Sequence, residues 1–207
     1  MNRKPMQRVV NPEDVKWRWV AAVVPYYYAG GRTACRVHYV DGKTESVLAS
    51  SERLLERWLG YYGTTSKVMQ ERAEKLLAGE QQRRLPLVVN RDVCLVPLKC
   101  RELEGRNTGT LGYFNLNTIY YVIDLEEYGS MVFLFDGHKG IRIPQKKSTV
   151  EIQMRRGETC IARYVEMMEE QNRQEEELRA KHSPYAGKYH MPHSNGKPDE
   201  DDWYEES

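Results

Sequence analysis

MVFLFDGHKGIRIPQKKSTVEIQMRRGE, residues 131–158, decides how this chain is read. MVFLF is β-rich, Asp136-Gly137 is a favoured turn pair, and GIRIP reads as a returning strand. Ser148-Thr149-Val150-Glu151 then has the form of a capping box at a helix start. From there Val150, Met154, Ile161, Val165 and Met168 make an apolar stripe at helical spacing, which Gly157 is expected to interrupt. The preceding segment NLNTIYYVIDLEEYG, 115–129, reads as a strand. The unit is therefore strand, hairpin, helix.

The same order occurs earlier in the chain. WRWVAAVVPYYY, 17–28, is apolar and β-rich, with Pro25 expected to break it or to mark an edge. RTACRVHYVDGKTESVLAS, 32–50, reads as two strands around Asp41-Gly42, a pair that suits a type I′ turn. SERLLERWLG, 51–60, predicts a short helix with Leu54, Leu55, Trp58 and Leu59 on one side, ended by Gly60 and Gly63. A second helix is expected over 64–80, with Thr64, Thr65 or Ser66 as its N-cap. Between the two copies, LPLVVNRDVCLVPLKC, 85–100, reads as two buried-type strands turning at Asn90-Arg91-Asp92. The fold class expected is α+β, with two similar hairpin-helix modules in tandem, 15–110 and 111–182. A flexible basic arm, 1–14, is expected before them and a disordered acidic tail, 183–207, after them.

Charge separates the two copies. From His138 to Arg156 stand Lys139, Arg142, Lys146, Lys147, Arg155 and Arg156 against one acid, Glu151. The matching stretch of the first copy balances Lys43, Arg53 and Arg57 with Glu45, Glu52 and Glu56. A solvated face normally mixes signs, and the second copy does not. Its bases lie on a hairpin strand, on the loop before a helix, and in that helix's first turns. Backbone N–H groups at a helix N-terminus favour an anion, and flanking Lys and Arg add to this. Phosphate is the obvious partner, with Ser148 helping to hold it. Unmatched surface charge, and an acidic protein or the chain's own acidic tail as partner, remain alternatives. Residues 1–170 carry +5, and the chain ends in the acidic PDEDDWYEES.

The remaining composition mainly excludes. The 207 residues hold four cysteines, with no C-x-x-C spacing among them, so they read as reduced thiols and no metal site is expected. His190 and His193 in the tail have nothing rigid around them to make a site. No apolar run has the length of a membrane span, and MNRKPMQRVV lacks the core of a signal peptide, so a cytoplasmic protein is expected. No G-x-S-x-G, phosphate-binding loop, dinucleotide fingerprint or H-E-x-x-H occurs. Cys35 and His38 lie three apart on one strand and point to opposite faces. No catalytic residue, cofactor or enzymatic activity is expected.

Four stretches, in order, resemble the competence transcription factor ComK family of low-GC Gram-positive bacteria. YYGTTS, 61–66, followed by a helix, is similar to the family's Gly-Ser-Ser-rich segment. LPLVVNRDVCLVPLK, 85–99, resembles its Pro-containing strand pair. GYFNLNTI, 112–119, stands where the family has a Cys-x-Trp-Ile segment. VFLFDGHKGIRIP, 132–144, with Ser148, Gln153 and Arg155-Arg156, resembles the last hairpin and its helix. The resemblance covers roughly residues 30–165 and has departures. Val68-Met69 stand near the place of a Gly-Arg pair, Tyr113 replaces the Trp and lacks a preceding Cys, and Leu98 replaces a Thr. The tail has no evident counterpart of the apolar motif by which some members meet a proteolytic adaptor, which puts adaptor and protease control in doubt.

The resemblance implies a transcription activator of DNA-uptake genes. It would bind paired AT-rich boxes in double-stranded promoter DNA as a dimer or dimer of dimers, with RNA polymerase as a further partner. The tandem hairpin-helix order also resembles two LytTR-type DNA-binding modules. A narrow A-tract minor groove attracts inserted Lys and Arg, which suits Lys139 and Arg142. Lys146, Lys147, Ser148 and one of Arg155 and Arg156 are the expected phosphate contacts. The other reading is a non-catalytic interaction module whose basic face binds an acidic protein.

Overall fold

The computed structural model describes residues 9–28, 32–78, 84–100, 111–135 and 140–182. The acidic tail 183–207, the Asp136-Gly137 tip, Lys139 and the first eight residues lie outside them. The described residues form an α+β structure with two sheets and three α-helices.

The larger sheet contains β1 (Val9–Val10), β2 (Val20–Tyr28), β3 (Arg32–Tyr39), β4 (Thr44–Val47), β5 (Leu87–Asn90), β6 (Val93–Lys99) and β7 (Leu111–Asn115). Their order is β1-β4-β3-β2-β7-β6-β5, antiparallel throughout except for β1 against β4. Residues 9–14, expected as part of a flexible arm, are therefore held: β1 pairs with β4 and Val10 is buried. The smaller sheet is the meander β8 (Ile119–Asp124), β9 (Ser130–Leu134) and β10 (Ile141–Ile143). A three-strand meander leading into a helix thus occurs twice, β2-β3-β4 before α1 (Ser51–Tyr61) and β8-β9-β10 before α3 (Lys147–His182). A single turn of 3-10 helix precedes each meander, at Trp17–Trp19 and at Leu116–Thr118.

Local chemistry explains most of these elements. Ser50 Oγ accepts from the Arg53 N–H and caps α1. Thr65 Oγ1 does the same for Val68 at the start of α2 (Ser66–Leu76). The Glu56 carboxylate also accepts from the Ser66 N–H at 3.3 Å, placing negative charge at the N-terminus of α2. The β5–β6 turn is held by Asn90 Oδ1, which accepts from the N–H groups of Asp92 and Val93, both at 2.9 Å. Pro25 stays inside β2, opposite Cys35 of β3. It is tolerated because β7 pairs with β2 only at Ala22 and Val23, so Pro25 leaves no partner carbonyl unserved.

Four expectations need correction. The first hairpin is not a type I′ turn: Tyr39 N–H bonds Lys43 O, and only Gly42 has positive φ, at 80°. This is a three-residue loop ending in a left-handed glycine. The segment 115–129 is not one strand, because Leu116–Thr118 turns the chain out of the large sheet and into β8. Ser148 does not cap α3: Lys146 O accepts from Thr149 and Val150, so the helix begins two residues earlier than Ser148 would make it. The cap is fixed from outside, since Ser130 Oγ donates to Gln145 O and the Gln145 side chain accepts from the Lys99 N–H, each at 2.5 Å. Finally, Gly157 does not interrupt α3, which runs unbroken through it.

Two cores flank the larger sheet. On one face, Val23, Val37, Val47 and Leu95 pack with Leu54, Leu55, Trp58 and Leu59 of α1. Burying each such side chain is worth about 1.5–3 kcal/mol. On the other face, Ala22, Cys94, Val96, Leu98 and Phe114 meet the inner face of the smaller sheet, Val132, Leu134, Ile141 and Ile143, together with Val150 and Cys160 of α3. The described residues up to Met167 make one compact unit. The expected boundary at 110/111 falls just before β7, so the segment 111–182 supplies a strand to the first segment's sheet. The second unit begins at Met168, and from there to Lys181 the helix is exposed at every position, with ion pairs Arg173–Glu170 and Arg179–Glu175. Among the described residues no helix is long and apolar enough to cross a membrane.

Candidate nucleic-acid interface

The junction of β10 and α3 carries the cations singled out in the sequence. Alternation along β10 buries Ile141 and Ile143 and leaves Arg142 exposed on the outer face of the smaller sheet, opposite Met131. Its guanidinium lies 5.2 Å from the ring centroid of Tyr128, which is itself 65% exposed. A cation over an aromatic face holds its orientation while its donors stay open to solvent. Lys146 is exposed at the cap position of α3, and Ser148 is exposed in its first turn. Lys147 reaches Glu151 at 3.6 Å, a half-exposed pair worth less than about 0.5 kcal/mol. Two turns further on, Arg155 is exposed and Arg156 is half-buried. Arg142, Lys146 and Arg155 form no ion pair among the described residues.

Two of the three matching bases of the first copy are paired, Lys43 with Asp41 at 2.7 Å and Arg57 with Glu13 at 3.5 Å, whereas Arg53 forms no ion pair among the described residues. The Lys43 ammonium holds the Asp41 carboxyl below the usual carboxylate range, chiefly through the hydrogen bond between them. The contrast read from formal charge has its counterpart in the contacts of Lys43 and Arg57, set against Arg142, Lys146 and Arg155.

Two features are absent from the sequence reading. The first is the outer face of the smaller sheet. Tyr121 stacks on Phe133 with centroids 4.4 Å apart and planes at 12°, and Tyr120 sits 6.3 Å from Phe135. Gly140 lies under this layer, where a β-carbon would meet Met131 and Phe133 side-chain atoms within 3 Å. The second is a cleft of about 830 Å3 at the open half of the larger sheet. Its floor is the β2-β3-β4 face that bears Tyr26, Arg36 and His38, and its far wall is Phe135, Ile141 and Arg142. Arg36 stacks over Tyr26 at 4.7 Å, and His38 Nδ1 lies 3.3 Å from Thr44 Oγ1. Burial, and after it the charge of Arg36, lowers the His38 pKa to about 4, so the ring is neutral at pH 7. Period-two alternation in SMVFL was the available signal for the aromatic face; IYYVID does not alternate, because an irregularity between Ile119 and Tyr121 leaves Tyr120 and Tyr121 both exposed. The cleft had none, because it arises where two distant strand groups meet.

Cys35 and His38 do lie on opposite faces, Cys35 in the α1 core and His38 in the cleft. Burial pushes the Cys94 thiol far above its ordinary range, which makes it an inert core group that donates to Gly157 O. Among the described residues no group of His, Cys, Asp and Glu could hold a metal ion. No protein-family model matches this chain, and neither the curated proteins nor the solved structures contain a significant match to it.

Proposed function

We propose that the protein binds double-stranded DNA through the β10–α3 junction and acts in the cytoplasm as a sequence-preferring transcription activator, of the kind its resemblance to the ComK family implies. The observation that carries this reading is the set Arg142, Lys146 and Arg155: exposed, without ion pairs among the described residues, and clustered in sequence at a strand-to-helix junction. Phosphate is the complement of such a set, because neutralising it releases counterions from the duplex. Lys146 and Lys147 flank a helix N-terminus, whose first N–H groups lack intrahelical partners and whose dipole favours an anion. Arg142, exposed on the outer face of the smaller sheet, is the candidate for groove entry, with AT-rich sites preferred for their narrow minor groove. The activity needs no cofactor and no catalytic group.

The aromatic layer of Tyr120, Tyr121, Phe133 and Phe135 supports self-association or a protein partner beside the DNA-binding residues, since exposed aromatic residues are enriched in interfaces. A homo-oligomer on paired promoter boxes accommodates both observations, and the target genes on this reading are those of DNA uptake. Genome-wide mapping of bound sites, followed by motif extraction, tests the proposal. Recurrent paired AT-rich boxes upstream of DNA-uptake genes support it, whereas occupancy without any shared sequence favours an interaction module that meets DNA only through charge.

A further inference from the structure

We infer that the cleft between the β2-β3-β4 face and the ends of β9 and β10 is a binding site for a nucleotide, a planar base carrying phosphate. Three cationic side chains line it, Arg36, Lys43 and Arg142, and no carboxylate does among the described residues. Lys43 is engaged by Asp41 at the rim and the Arg142 guanidinium is held over Tyr128, outside the lining, which leaves Arg36 on the floor as the charge available to an anion. The Arg36 guanidinium is held over the Tyr26 ring, so its planar fork is already oriented. A pre-organised fork of this kind binds phosphate with little further loss of side-chain freedom.

The cleft is also too large and too aromatic for a bare phosphate. At about 830 Å3 it falls within the range of sites for small organic ligands and cofactors. Phe135, 48% exposed, and Tyr26 are aromatic residues of its lining. His38 is neutral at pH 7 and shares a contact with Thr44, so it meets a base as a hydrogen-bonding group and adds no charge. A concave site with cations and aromatic residues, and no acid in its lining, suits a ligand that is anionic at one end and flat at the other. The site is separate from the Lys146–Arg156 helix start, and only Arg142 borders both.

The test is a calorimetric titration of the full-length protein with ATP and GTP, with inorganic pyrophosphate and adenosine as the two halves of the ligand. No DNA is present, so the result is independent of the DNA-binding proposal. A nucleoside triphosphate is expected to bind, and each half at least ~10-fold more weakly, since each keeps only one set of contacts. Arg36→Ala and Phe135→Ala should each lower the affinity by a similar factor while keeping the wild-type circular dichroism spectrum. Amide shift changes on ATP addition should fall on Val24–Tyr26, Arg36–His38 and Ile141–Ile143. Absence of binding by either triphosphate up to about 1 mM would overturn the inference. So would binding that both substitutions leave unchanged, or shift changes confined to the start of α3.

Discussion

Gly157 of α3 sits directly against Leu116: a β-carbon on Gly157 would lie 2.8 Å from Leu116 Cδ2, with Val96 Cγ2 at 3.3 Å and Cys94 Sγ at 3.4 Å behind it. The helix packs against the larger sheet here, so the glycine that weakens it locally, by roughly 1 kcal/mol relative to Ala, also leaves room for that contact.

The size of the residue at 157 should therefore set stability. Gly157→Ala gains helix propensity and loses close packing, so its net cost should stay below about 1 kcal/mol. Gly157→Val adds a branched side chain against Val96 and Cys94, and should cost about 2–3 kcal/mol. Urea unfolding of both variants checks this. Equal stability of Val and Gly at this position would mean that the helix does not dock through Gly157.

The contact also shows what the sequence could and could not tell. Capping of α2 by Thr65, one of three candidates, the Asn90 turn and the apolar side of α1 depend on neighbours within a few residues, and each was legible. Gly157 looked like a helix breaker because its reason for being there, Leu116 and Val96, lies 41 and 61 residues away. β7 was missed for the same cause: Gly112-Tyr113-Phe114 is a strand through its pairing with β2 and β6. Ser148 was read as the cap from its own motif, but Ser130 and Lys99 fix Gln145 and move the cap to Lys146. The bases of the second copy were legible as composition, whereas the absence of ion pairs at Arg142, Lys146 and Arg155 among the described residues, and the cleft beside Arg142, needed the fold.

His38 should make stability depend on acid. Its folded-state pKa, about 4, lies below the ordinary 6.5, so between those values the unfolded chain binds a proton that the folded chain refuses. Stability is full above pH 6.5, falls as the pH drops toward 4 by at most about 1.4 kcal/mol per pH unit, and loses no more below that. His38→Gln should flatten this part of the profile. Denaturation midpoints for wild type and variant at pH 7.5, 6.0 and 5.0 check it, and parallel profiles would remove His38 as the cause.

Lys146 and Lys147 should act on DNA of any sequence alike. Replacing both by Ala should lower the slope of log affinity against log salt by roughly 2, about 1 for each lost phosphate contact. The weak Lys147–Glu151 pair does not prevent this, because it is solvent-exposed. A salt titration on one AT-rich and one mixed duplex measures both slopes, and an unchanged slope takes these lysines out of the interface.

The central claim is that DNA is read from the second copy's strand-to-helix junction, with Arg142 at its centre. The most direct measurement is a set of binding isotherms for wild type, Arg142→Ala and the Arg53→Ala, Arg57→Ala double variant, on an AT-rich duplex and a mixed duplex, with sedimentation to confirm equal assembly. Arg142→Ala should cost about 1–3 kcal/mol on the AT-rich duplex and less on the mixed one. The first-copy variant should cost under about 0.5 kcal/mol on either. Equal losses from the two copies in intact assemblies, or no preference for the AT-rich duplex in the wild-type protein, would contradict the account.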